Sequence, residues 1–80
     1  MSVTIEARLL TLISEASGVS EEMIKRESRL EELGLDSLAI TEMALKLRKE
    51  FKVAKLDEQF DFVETVDELF QIVAKAQPKS

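Results

Sequence analysis

The sequence predicts an all-α fold: a four-helix bundle of three longer helices and one short helix, with a long loop between helices 1 and 2. Three observations carry that expectation. Apolar residues recur at helical spacing in three stretches, no stretch shows a convincing strand-like alternation, and glycines and capping side chains punctuate the helical stretches. With 80 residues, 45% of them hydrophobic and 34% charged, the chain is suited to one globular domain rather than to a disordered segment. Residues 1–76 are expected to form that domain. The polar Gln77-Pro78-Lys79-Ser80, which holds the single proline, reads as a tail.

Helix 1 is expected from Val3 to Ala16, where Val3, Ile5, Leu9, Leu12, Ile13 and Ala16 repeat at helical spacing and Leu10 broadens the stripe. Gly18 ends it, because glycine takes the left-handed conformation at little steric cost. A long loop follows. Ser20 is a candidate cap for a turn over Glu21-Glu22-Met23-Ile24, and Lys25-Arg26-Glu27 reads as a solvated crossing. Ser28 and Glu31 match a capping box that winds a short turn, directing Leu30 and Leu33 to the core before Gly34 breaks it. Asp36 caps helix 2, whose stripe Ile40, Met43, Ala44, Leu47 and Phe51 runs to about Phe51. Asp57 can cap a short helix containing Phe60. Thr65 and Glu68 form another capping box, opening a last helix along Val66, Leu69, Phe70, Val73 and Ala76.

Composition removes several function classes. The chain has neither cysteine nor histidine, so disulfides, thiolate metal sites and the commonest general base and metal ligand are absent. A formal net charge of −5 argues against a nucleic-acid partner and for basic surfaces on whatever binds. No apolar run approaches the roughly 18 to 20 residues that cross a bilayer, and the N-terminus lacks the layout of a signal peptide. The expectation is a cytoplasmic chain with no membrane partner. Asp57, Asp61 and Glu64 lack the alternating acids and central glycine of a calcium loop.

The informative segment is Leu33-Gly34-Leu35-Asp36-Ser37-Leu38, a glycine-permitted bend that delivers an aspartate cap and then a serine into the first turn of a helix. By itself this leaves two roles for Ser37. Serine at a helix start often serves only the free backbone N–H groups there. A phosphate ester on Ser37 would equally sit well beside the positive end of the helix dipole. Without a histidine to deprotonate it, Ser37 reads as a substrate for modification and not as a catalytic nucleophile.

That segment resembles the phosphopantetheine attachment motif of acyl carrier proteins, and the resemblance extends along nearly the whole chain. Thr4-Ile5-Glu6, Gly18-Val19, Leu30-Glu31-Glu32-Leu33, Glu42 and Glu50-Phe51 fall where that family places similar residues. The resemblance implies a non-enzymatic carrier with a 4'-phosphopantetheine arm, derived from coenzyme A and joined to Ser37 by a phosphopantetheinyl transferase. Asp36 and Leu38 flank the attachment point. The arm would hold acyl intermediates as thioesters for an acyltransferase, a ketosynthase or a ligase-type synthase enzyme. A monomer suits a carrier that moves between partners.

With Ile40, Met43, Leu47 and Phe51 facing inward, helix 2 turns Leu38, Thr41, Glu42, Leu45, Arg48 and Lys49 outward as the expected partner surface. Fatty-acid carriers usually present an acidic helix 2, whereas this one has Ala39 early and the basic pair Arg48-Lys49 late. That departure favours a polyketide-type or related secondary-metabolite synthase, including peptide synthases, over fatty-acid synthesis. The alternative outside the carrier class is an unmodified interaction module that binds through helix 2. Ile40, Met43, Phe51, Phe62 and Phe70 are candidates to line an acyl chain, but residues of these types at helical spacing ordinarily form core.

Overall fold

The computed structural model describes residues 4–53, 56 and 60–75. Helix α1, Ile5–Ser17, begins where the Thr4 hydroxyl accepts a hydrogen bond from the Ala7 N–H at 3.1 Å. It buries Ile5, Leu9, Leu12 and Ile13, with Leu10 at the core's edge and Ala16 exposed. Val3 lies outside the described residues. Gly18, at φ 78°, ends α1 and donates its N–H to the Ser14 carbonyl at 2.9 Å.

The long loop contains two 3-10 turns, Glu21–Met23 and Glu31–Leu33, and both differ from expectation at their caps. Ser20 precedes the first turn in extended backbone, but its side chain makes no capping hydrogen bond. The second turn starts after Leu30, and its back-reaching carboxylate is Glu32, which accepts the Arg29 N–H at 3.3 Å. Ser28 and Glu31 do not form the expected box: the Ser28 N–H that Glu31 would reach donates instead to the Lys25 carbonyl at 3.1 Å. Leu30 and Leu35 are both buried, and the Leu35 N–H donates to the Leu30 carbonyl at 3.0 Å, closing the bend in which Gly34 sits at φ 76°.

Helix α2, Ser37–Phe51, is capped by Asp36, whose Oδ1 accepts the Ala39 N–H at 2.8 Å. Ile40, Met43, Ala44 and Leu47 are buried, and Phe51 is half-buried at the core's edge. The helix ends at Lys52, a non-glycine residue at φ 56°. The expected short helix near Phe60 is a 3-10 turn, Phe60–Phe62, among the described residues; Asp57, its expected cap, lies outside them. Helix α3, Val66–Lys75, buries Val66, Leu69, Phe70 and Val73. Ala76 lies beyond the described residues.

Helix α1 packs against both α2 and α3, and α2 packs against the Phe60–Phe62 turn. Arg8 on α1 makes a two-pronged contact with Glu50 near the end of α2, at 2.9 and 3.1 Å, and the Glu50 carboxylate holds the Arg8 guanidinium still more firmly protonated. Among the described residues no polar side chain is buried, so apolar burial supplies the main driving force.

The head of α3 is where the loop is anchored. The Val66 and Asp67 N–H groups, which have no partner within their own helix, donate to the carbonyls of Ser28 at 3.0 Å and Arg26 at 2.8 Å. The Leu30 N–H donates to the Glu64 carbonyl at 2.9 Å, making Arg29 and Thr65 an isolated antiparallel bridge. Arg26 adds an ion pair with Asp67 at 2.9 Å and lies over the Phe70 ring at 4.3 Å. The segment expected to be a solvated crossing is therefore exposed yet tethered.

The Thr65–Glu68 capping box forms as expected: the Thr65 hydroxyl accepts the Glu68 N–H at 3.4 Å, and Glu68 accepts the N–H groups of Glu64 and Thr65, each at 3.0 Å. Thr65→Ala should lower stability by about 1 kcal/mol, measurable by urea unfolding. The bonds from Glu64 and Thr65 push the Glu68 carboxyl below its ordinary 4.5. Between the folded and unfolded values the unfolded chain binds more protons, so this contribution is complete above 4.5 and is lost as pH falls through the lower folded value. Glu68→Gln, which keeps an acceptor but cannot titrate, should flatten that part of the acid dependence of the urea midpoint; an unchanged slope would reject the assignment.

Candidate functional site

Ser37 is the first residue of α2 and is exposed. Its placement follows from the chain on either side. Leu35 is buried before it, Asp36 holds the helix head after the Gly34 bend, and Ile40 anchors the first turn in the core. The hydroxyl is thus carried on a rigid element at the surface. No acidic residue lies in the first turn of α2 beyond the cap, so its positive end and initial N–H groups are suited to a phosphate ester.

A cleft of about 260 Å³ adjoins Ser37. Leu30, Leu35, Ile40 and Val63 give it an apolar interior, and Arg29, Glu31 and Glu64 are charged residues in its lining. Arg29 and Glu31 approach to 3.8 Å as an exposed ion pair. Sequence reasoning did not identify Arg29 and Val63 as walls of this cleft, because the loop and the segment before α3 are far apart in sequence and are joined by the backbone bonds described above.

The expected partner residues divide across the surface of α2. Leu38 and Leu45 are exposed at 65% and 45% and lie two turns apart on one stripe with Glu42 and Lys49. Glu42 also lines a crevice with Leu12 and Glu15 of α1, placing it at that edge of the stripe. Thr41 and Arg48 are half-buried at the opposite edge. Leu45, Arg48 and Lys49 come together with Lys52 and Val53 around an open groove of about 620 Å³.

Of the candidates to line an acyl chain, Ile40, Met43 and Phe70 are buried, Phe51 is half-buried, and Phe62 is 90% exposed. Phe62 is therefore not an interior residue. Phe60 takes the core position of that 3-10 turn, and a residue two places along it points away. Met23, 68% exposed, is a further surface apolar residue.

The sequence profile of the family described as "Phosphopantetheine attachment site" matches residues 7–73, from the first turn of α1 to the last turn of α3. The residues present fit such a group: an exposed hydroxyl stands at the positive end of a helix, next to a cleft with an apolar interior and a cation in its lining. No described helix is long and apolar enough to cross a membrane. A match of that extent, over a fold of this kind, shows that the chain belongs to the phosphopantetheine-attachment carrier family, a non-catalytic family whose members carry 4'-phosphopantetheine and interact with phosphopantetheinyl transferases and synthase enzymes.

Proposed function

We propose that the Ser37 hydroxyl is the attachment point, and that the chain holds acyl intermediates for a polyketide-type or related secondary-metabolite synthase. The observation that carries the first part is the exposed position of Ser37 as the opening residue of α2, within the segment matched to the family. Asp36 keeps the helix head wound by accepting the Ala39 N–H, and the exposed Ser37 stands at the helix's positive end, which suits an attached phosphate. Arg29 offers a cation at the adjoining cleft. Having no histidine, the chain leaves removal of the Ser37 proton to the transferase. When attached, the arm supplies a thiol for thioester chemistry, which partner enzymes perform.

Leu38, Thr41, Glu42, Leu45, Arg48 and Lys49 are the proposed docking residues, with Asp36 and Leu38 also read by the transferase. The second part of the proposal rests on charge. A partner with a wholly basic docking patch, as an acidic fatty-acid carrier would require, meets repulsion at Arg48 and Lys49. Acyltransferase, ketosynthase or ligase-type enzymes of a specialised synthase are the corresponding partners. A cytoplasmic monomer with its carrier domain over residues 1–76 and a polar tail over 77–80 completes the reading.

Incubation with coenzyme A, magnesium and a broad-specificity phosphopantetheinyl transferase should add the mass of one arm to the wild type and nothing to Ser37→Ala, read by intact-protein mass spectrometry. A folded wild type left unmodified by several such transferases would turn the reading to an unmodified interaction module. Asp36→Ala should lose the cap and about 1 kcal/mol of stability, whereas Asp36→Asn keeps an acceptor and should stay within a few tenths of the wild type. Slower modification of Asp36→Asn despite that stability would assign the carboxylate to recognition by the transferase.

A further inference from the structure

The chain is acidic overall, yet four of its 11 basic side chains, Lys46, Arg48, Lys49 and Lys52, fall within seven residues at the end of α2. The single acid among them, Glu50, is engaged by Arg8 of α1 at 2.9 and 3.1 Å. Cations in the last turn of a helix ordinarily answer the negative end of its dipole, and Arg48 and Lys49 occupy that turn. Lys52, the C-cap at φ 56°, stands at the same negative end, but the dipole does not account for Leu45, an exposed leucine in the same groove. Buried Val53 contributes a second apolar wall. The combination is an apolar groove with a cationic rim.

The opposite end of α2 has the reverse character. Glu31 and Glu64 line the cleft beside Ser37 together with Arg29, which pairs with Glu31 at 3.8 Å, and Asp36 is exposed at the helix head, so acids are in excess there. Lys49 lies twelve residues after Ser37, which at about 1.5 Å per residue separates the two ends by roughly 18 Å. Leu38 and Leu45 lie along the stripe that joins them.

We infer that the groove formed by Leu45, Lys49, Lys52 and Val53 is a second docking subsite, which takes an apolar side chain flanked by carboxylates on the partner enzyme. It deepens the carrier reading above and rests on it. Opposite charges at the two ends of α2 give the partner one favoured direction: its basic residues meet the Ser37 end and its acidic ones meet the groove. The reversed orientation places like charges together at both ends, an arrangement that costs affinity and selects against wrong partners.

The probe is a synthetic amphipathic peptide of about 15 residues, with one leucine flanked by glutamates on its apolar face, long enough to form a marginal helix. Its counterpart has lysine at every glutamate. Each is titrated into the ¹⁵N-labelled, phosphopantetheinylated protein and followed through amide shifts. The acidic peptide should perturb residues 45–53, and its affinity should fall about tenfold between about 50 and 300 mM salt. A Lys49→Glu, Lys52→Asp double variant should weaken it by at least about tenfold, since aspartate tolerates the left-handed conformation at position 52. Circular dichroism checks that the variant is folded, and if it is not, Lys49→Gln alone should weaken binding about threefold.

Equal binding of the lysine peptide, perturbations centred on Met23 or Phe62, or no perturbation by the acidic peptide at millimolar concentration would overturn the subsite. Arm attachment to the wild type is read separately by mass. A modified protein with no peptide response removes the subsite and leaves the carrier reading standing. Unmodified protein that still binds the peptide does the opposite.

Discussion

Three backbone hydrogen bonds between residues 26–30 and 64–67 hold the arrangement on which the rest of the molecule depends. Two of them supply partners to N–H groups that the geometry of α3 leaves without one, so the helix head and the loop solve each other's hydrogen-bonding problem. The consequence reaches the candidate site. With residues 26–30 pinned, Leu30 and Leu35 enter the core, and the chain leaves that core at Asp36 in position to start α2. Ser37 is thereby placed by elements distant in sequence, although its own helix begins with it.

The core explains why such stitching matters. Its residues are leucine, isoleucine, valine, phenylalanine, alanine and methionine, drawn from every helix and from the loop, and a chain of this size hides only about 60% of its unfolded surface. Surface ion pairs such as Arg26–Asp67 add little by themselves. Their value is orientational. Arg26 lies over Phe70 and pairs with the second residue of α3, while Arg8 ties α1 to the end of α2. Polar contacts therefore direct which apolar surfaces meet, and burial supplies the free energy.

Helix α2 separates two tasks along its length. Its buried stripe joins it to the bundle, while its outer stripe offers leucines between an acidic head and a basic end. Because the helix is rigid, the distance between Ser37 and the cationic groove is set by the backbone and does not depend on side-chain rotamers. On the proposed reading, this layout presents Ser37 and the charges at the far end of α2 in one register. The proposed docking would let a partner distinguish direction as well as identity on that basis.

The sequence alone determined the helices, because apolar spacing and caps are local: Thr65 with Glu68, Asp36 before Ser37, and Gly18 and Gly34 at positive φ all act within a few residues. It also marked the segment that contains Ser37, since the residue types there are the signal. The loop's true partners were not legible. Ser28 and Glu31 had the spacing of a capping box, but the Ser28 N–H goes to Lys25 and Glu32 makes the local bond, while the Ser28 carbonyl answers Val66 far along the chain. Phe62 looked like core by type and emerged at the surface because Phe60 had already filled the interior of that turn. Tertiary structure alone decided the cleft beside Ser37 and the groove at Leu45, because both are spaces between segments, and sequence spacing encodes what lies along a helix but not what faces it.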